Sequence, residues 1–518
     1  MAVHRRGLAG SVKPRWVGRL SLLPENPLSI AAGVTYLLCL LSPRRNGGDM
    51  TDPVIRIPSL VFGAASAAEL AQLMRNGDLS VREVTQAVLD RAQGVADRLN
   101  PFSAILSGPA LAEADRADAA RRTSGEALPP LWGLPVAIKD LTPMTGQSWT
   151  SGSKAFRNRV ADHDAIVVER LRAAGAIIVA RTTTPEFASS GFTRNDLQGV
   201  TRNPHDPSRT PGGSSGGAGV AVATGTVPFA EGSDMGGSIR IPAAWCGVVG
   251  LKPSFGRVPF AYLASRFDTI SHLGPLARSV SDARLFLRHV AGHHPADPFS
   301  LPGLWAEDGP ARSLKGLRIA ASADLGYVAL DPVVRQGFAD ALARLAAAGA
   351  VVEEIDLGWT PAVHEAWGVQ WNVTFATWYG ELADRQPDDL TAPMREMIAA
   401  GRKTMAVDLM AVEGVRSAIW ADLMQQFESF DCLVTPTMAM PPPPATEDDA
   451  DHYHLLPDGR LFTTDLTCPF NLTSPCPAIS IPSGSANGMP LGLQIITPPH
   501  SDDLALAIAA AAEAVFAG

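Results

Sequence analysis

Gly212-Gly213-Ser214-Ser215-Gly216-Gly217 is followed, 21 residues after Gly217, by Ser238 inside Ser233-Asp234-Met235-Gly236-Gly237-Ser238-Ile239-Arg240-Ile241-Pro242. Two serines therefore sit on glycine-rich turns. Such a turn bends sharply, exposes the hydroxyl, and brings several main-chain N–H groups close to whatever that hydroxyl attacks. That is the equipment of a serine acyl-transfer site.

Upstream, Gly133-Leu134-Pro135-Val136-Ala137-Ile138-Lys139-Asp140 places a lysine at the end of a strand-like apolar run. Burial disfavours the ammonium form, and an amine that is neutral near pH 7 can take a proton from a serine. A Gly/Ser run alone is most often a loop, and a lysine ending a strand is most often solvated. Their order and joint context point to chemistry.

Other nucleophiles fit less well. Gly212 to Gly216 matches the G-x-S-x-G elbow, which requires an entering strand and a later acid and histidine. Here Pro204, Pro207 and Pro211 precede it, and proline is a poor strand residue. His272, His289 and the His293-His294 pair read as polar or structural residues. Ser151-Gly152-Ser153-Lys154 fits S-x-x-K but lacks the companion motifs. Cys246 lies in the apolar Ala243-Ala244-Trp245-Cys246-Gly247-Val248-Val249-Gly250, where a thiol is expected to pack rather than react. The five cysteines, Cys39, Cys246, Cys432, Cys468 and Cys476, are scattered. No paired Cys/His spacing or dinucleotide or phosphate loop is visible, so neither a metal nor a cofactor is expected.

From about Thr201 to Pro259 the sequence resembles the amidase signature family. The likeness rests on Pro211 to Gly217, Gly236-Gly237-Ser238-Ile239-Arg240-Ile241-Pro242 and Cys246-Gly247-Val248-Val249-Gly250-Leu251-Lys252-Pro253. It extends to Gly133 to Asp140, Thr184-Pro185-Glu186-Phe187, Gly274-Pro275-Leu276-Ala277-Arg278 and Pro490-Leu491-Gly492-Leu493-Gln494. The resemblance implies a Ser-Ser-Lys triad: Ser238 as nucleophile, Ser214 as the bridging serine and Lys139 as the base. It also implies a cis peptide between Gly213 and Ser214, and an oxyanion hole built from the N–H groups of Met235, Gly236, Gly237 and Ser238. One such donor is typically worth about 3–4 kcal/mol in the transition state. Asp234 and Arg240 are expected to brace the loops, and Ser215 to support the triad. The implied reaction is hydrolysis of a carboxylic amide to acid plus amine or ammonia through a serine acyl-enzyme.

With 518 residues, 46% of them hydrophobic, the chain can bury a large core. A formal net charge of −9 argues against nucleic acid or an anionic membrane as the main partner. Few cysteines fit a reducing cytoplasm. A small-molecule amide is the expected partner, and a homodimer is compatible with the family. Residues 1–49 differ from the rest: seven Arg and Lys against Glu25 and Asp49 make a local +5, leaving −14 elsewhere. Their apolar stretch Ser29 to Ser42 is short of the ~20 residues a membrane span needs. We expect residues 1–49 to be a disordered extension or no part of the native product, with Met50 as the start and residues 50–518 as the amidase signature domain.

The coarse pattern is α/β. Helices are expected over Ser66 to Met74, Val81 to Gln93, Ala165 to Ala174 and Val333 to Ala348, and strands over Ala176 to Ala180, Leu317 to Ala321 and Leu433 to Thr435. The family sharpens this to a single α/β/α layered domain around a mixed, twisted β-sheet. Pro441 to Pro444 and Glu447 to Asp451 read as a lid or surface loop. Trp367, Trp371, Phe375 and Trp378 recur with a helical period, on one face. Such a stripe is expected to bury inward; if some of it faces the pocket, aryl or medium aliphatic amides are favoured. The alternatives are the A-type component of a glutamine-dependent tRNA amidotransferase, a carbamate, ester or cyclic-amide hydrolase of the same family, and a non-catalytic binding protein on this fold.

Overall fold

The computed structural model describes residues 65–123, 128–302 and 312–517. The expectation for residues 1–49 lies outside them.

Local sequence sets the first two helices. In Ala67–Asn76 and Val81–Leu99 the preceding Ser66 and Ser80 accept an N–H from Glu69 and Glu83, whose carboxylates accept the serine N–H in return. This reciprocal cap satisfies donors that the first helical turn leaves unpaired. The second helix runs beyond the expected Gln93 because Gly94 does not break it. It stops where Asn100 turns left-handed, at φ +51, before Pro101.

Eleven strands form one mixed sheet: β1 Phe102–Ile105, β2 Pro135–Lys139, β3 Ile177–Thr182, β4 Phe229–Asp234, β5 Val249–Lys252, β6 His272–Ala277, β7 Arg318–Ala321, β8 Val351–Glu354, β9 Cys432–Pro436, β10 Ala478–Ala486 and β11 Met489–Ile496. Their order across the sheet is β1-β3-β2-β4-β6-β5-β10-β11-β9-β7-β8. The pairs β2–β3, β2–β4, β7–β8 and β7–β9 are parallel and the others antiparallel. Strands β2 to β6 are buried throughout, and they carry polar residues, Lys139 on β2 and Glu231, Ser233 and Asp234 on β4, into the interior with them. Val136, Val179, Phe229, Leu251, Leu276 and Phe286 belong to the core packed against them.

Two features place the site. Strands β2 and β4 are parallel neighbours, with Val136 opposite Phe229 and Ala137 opposite Ala230. Lys139 and Ser233-Asp234 therefore leave the sheet at the same end, where α/β sheets hold their ligands. Helices Ala362–Arg385 and Ala392–Lys403 pack on each other. They carry the aromatic stripe to that end, through Phe187, Trp371, Phe375, Leu390, Met394 and Ile398.

Candidate active site

Lys139 is the last residue of β2 and is fully buried. Its amine lies 2.6 Å from Ser214 Oγ, 3.0 Å from Ser215 Oγ and 2.9 Å from Ser233 Oγ. Burial drives its pKa down to about 7, against the opposing pull of Glu231 and Asp234. The nearest carboxylate, Glu231, faces the lysine's main chain, accepting its N–H at 2.9 Å and the Thr142 hydroxyl at 2.9 Å. Burial raises the Glu231 pKa as well. Hydroxyls are therefore the amine's immediate neighbours, and they can donate to a neutral amine or accept from a charged one.

The Gly213–Ser214 peptide is cis. Ser215 ends this turn and caps the helix Gly216–Ala223. Its N–H donates to the carbonyl of Ser238 at 3.2 Å, which ties the two glycine turns together. Ser238 is largely buried and borders a cleft of about 830 Å³. Its Oγ has no hydrogen-bond partner among the described residues, so the amine is joined to Ser214 but the two serine hydroxyls are not joined to each other.

Asp234 organises the second turn. It accepts the N–H of Gly237 at 2.8 Å and of Ile239 at 3.2 Å, and pairs with Arg240 through two contacts of 2.8 and 2.9 Å. Burial would raise its pKa, but the adjacent guanidinium outweighs that and holds the carboxyl well below the usual range. Arg240 is saturated in turn by Thr467 O, Gln494 Oε1 and Asn471 Oδ1. The Gly237 N–H is thereby engaged, whereas among the described residues the N–H groups of Met235, Gly236 and Ser238 have no protein partner.

Beside this turn lies a buried pair, Lys252 and His272. Lys252 donates to the carbonyl of Cys476 at 2.8 Å, and burial brings its pKa down to about 7. The neighbouring His272 is pushed to about 3, first by burial and then by Lys252. His272 lies within hydrogen-bonding distance of the Asp234 and Ser474 carbonyls, as a structural residue does.

The aromatic stripe divides between two environments. Trp367 and Trp371 line the cleft, and Trp371 is at the same time buried with Phe375 against Leu390 and Met394. The expectation of inward packing thus holds for Trp371 and Phe375 in the middle of the stripe, while Trp378 is half-buried. The Glu447 to Asp451 segment forms a wall of the same cleft. Asp449 accepts the Gly191 N–H at 2.7 Å, and Asp448 pairs with Arg194. Cys246 is buried, with its thiol pushed well above its ordinary pKa by burial alone. Nothing local in the sequence marks Ser233, Glu231, Thr467, Asn471 and Gln494, whose partners at the site lie far away along the chain.

Residues 83–506 match the model of the family described as Amidase, and the chain belongs to that family. It is an enzyme that hydrolyses carbon–nitrogen amide bonds. It is 36% identical over 461 residues to an acylamidase of Rhodococcus erythropolis, covering 87% of this chain and 95% of that protein. It is 35% identical over 481 residues to the A-type component of a glutamyl-tRNA(Gln) amidotransferase from Salinispora arenicola, covering 86% and 96%. Among solved structures it is similar to a bacterial aryl acylamidase of the amidase signature enzymes, with a TM-score of 0.81, 27% identity, and coverage of 87% and 96%. No helix of the described residues is long and apolar enough to cross a membrane.

Proposed function

We propose that this chain is a serine amidohydrolase of aryl or medium aliphatic amides, with Ser238 as nucleophile, Ser214 as relay and Lys139 as base. The observation that carries this reading is the fully buried Lys139 amine, ringed by the hydroxyls of Ser214, Ser215 and Ser233 beneath a cleft that Ser238 lines. A neutral Lys139 takes the Ser214 proton while Ser214 takes that of Ser238, whose oxygen attacks the amide carbonyl. The proton returns along the same path to the departing nitrogen, since an amide anion leaves poorly. Water then cleaves the acyl-enzyme, yielding acid and amine and regenerating Ser238. The N–H groups of Met235, Gly236 and Ser238 serve the developing oxyanion.

The indoles of Trp367 and Trp371 favour an aryl or aliphatic acyl group, as does the likeness to an acylamidase. Glutamine is the second reading, favoured by several amidotransferase relatives of similar identity. Its α-carboxylate would need a cation. Among the described residues that line the cleft the one arginine or lysine is Arg194, already held by Asp448 and by the Thr446 carbonyl at 2.8 Å. A cytoplasmic location fits four free, buried cysteines, and a homodimer fits the family.

Assaying purified protein on anilides, aliphatic amides, carbamates and glutamine tests the reading. Release of amine from anilides or aliphatic amides, lost in Ser238→Ala, is the expected result. Preferential turnover of glutamine would replace it with the amidotransferase reading, and turnover unchanged in Ser238→Ala would overturn it.

A further inference from the structure

The turn Met235-Gly236-Gly237 is held from outside at two successive carbonyls. Trp367 Nε1–H donates to the Met235 carbonyl at 3.0 Å, and Thr467 Oγ1 lies 2.6 Å from the Gly236 carbonyl. In a trans peptide the C=O and the following N–H lie in one plane and point in opposite directions. A bond that fixes one therefore aims the other. The peptide joining Gly236 to Gly237 is locked at both ends, by Thr467 at its oxygen and by Asp234 at the Gly237 N–H. The peptide joining Met235 to Gly236 is held at its oxygen by Trp367, and the N–H at its other end is open beside the cleft.

We propose that Trp367 is a positioning residue of the oxyanion hole, whose indole N–H, by holding the Met235 carbonyl, aims the Gly236 N–H at the reacting oxygen. The inference rests on the acyl-transfer reading above. Packing supports it independently of the hydrogen bond. A Cβ added at Gly236 would fall 2.4 Å from Trp367 Cζ2, so the indole lies directly against this backbone and only glycine permits that approach. Trp371 stacks on Trp367, with ring centroids 4.8 Å apart, and presses it into place. Trp367 thus belongs to the wall of the cleft and to the scaffold of the oxyanion donor at once. Among the described residues the Trp371 indole N–H finds no hydrogen-bond partner, and its part is confined to the wall and the stack.

A fluorophosphonate probe reads this directly, because its phosphorus bonds to the serine Oγ with loss of fluoride while its phosphoryl oxygen occupies the oxyanion position. The proteins to compare are wild type, Trp367→Phe, Trp367→His and, as a control, Trp371→Phe. Phenylalanine keeps a ring but loses the N–H; the histidine Nε2–H takes the place of the indole Nε1–H in a five-membered ring. The expected result is labelling of Ser238 slowed about tenfold in Trp367→Phe, with kcat on an anilide falling in parallel, KM little changed, and part of both rates restored in Trp367→His. Trp371→Phe, by contrast, shifts KM. Equal labelling rates in wild type and Trp367→Phe overturn the inference alone, as does a loss confined to KM. A histidine variant no faster than the phenylalanine one, or slower than wild type by more than about tenfold should phenylalanine not fold, also overturns it. Wild type that the probe does not label overturns the acyl-transfer reading, and this inference with it.

Discussion

Lys139 and Ser214 meet at 2.6 Å between Nζ and Oγ, although 75 residues separate them in the chain, and the amine is wholly out of solvent. Burial has brought that amine to a pKa of about 7. In the proposed mechanism activity requires its neutral form, so kcat/KM is expected to rise with pH through about 7 and level off above. A pH–rate profile on a neutral substrate measures it. Lys139→Met removes this limb and lowers kcat by about 10²–10⁴-fold, the usual worth of a general base.

Ser214 and Ser238 are separable by experiment. On the proposed mechanism Ser238→Ala abolishes formation of the acyl-enzyme, because it removes the hydroxyl that the relay through Ser214 activates. Ser214→Ala leaves the nucleophile in place but cut off from its base. It should still be labelled by a fluorophosphonate, about 10²–10⁴-fold more slowly. Mass spectrometry of the labelled peptide distinguishes the two variants.

Asp234→Asn tests the brace of the nucleophile's turn. Asp234 and Arg240 are both completely buried, and removing one charge leaves the other uncompensated. The expected destabilisation is about 3–5 kcal/mol, read from the chemical denaturation midpoint. Activity falls as well, because the same carboxylate holds the Gly237 and Ile239 N–H groups.

Cys246→Ala keeps kcat and KM close to wild type. The thiol is buried beside the Pro211 carbonyl, 3.3 Å away, and its raised pKa leaves no thiolate at neutral pH. Inactivation by this substitution without loss of stability would reopen the thiol as a nucleophile.

Much of this protein is legible in its sequence. The serine turns, the strand-ending lysine and the reciprocal helix caps at Ser66 and Ser80 depend on residues a few positions apart, and such short-range chemistry survives in the linear pattern. The alternation of helix and strand points to a layered sheet for the same reason. What tertiary structure alone decided involves partners brought together from distant parts of the chain. Glu231 meets the Lys139 main chain over 92 residues, Arg240 meets Asn471 over 231, and Trp367 meets Met235 over 132. Those contacts determine which N–H groups remain open in the turn of Ser238, and which residues of the aromatic stripe face the cleft. Periodicity places a tryptophan on a face of its helix; what that face meets depends on the packing of the whole chain.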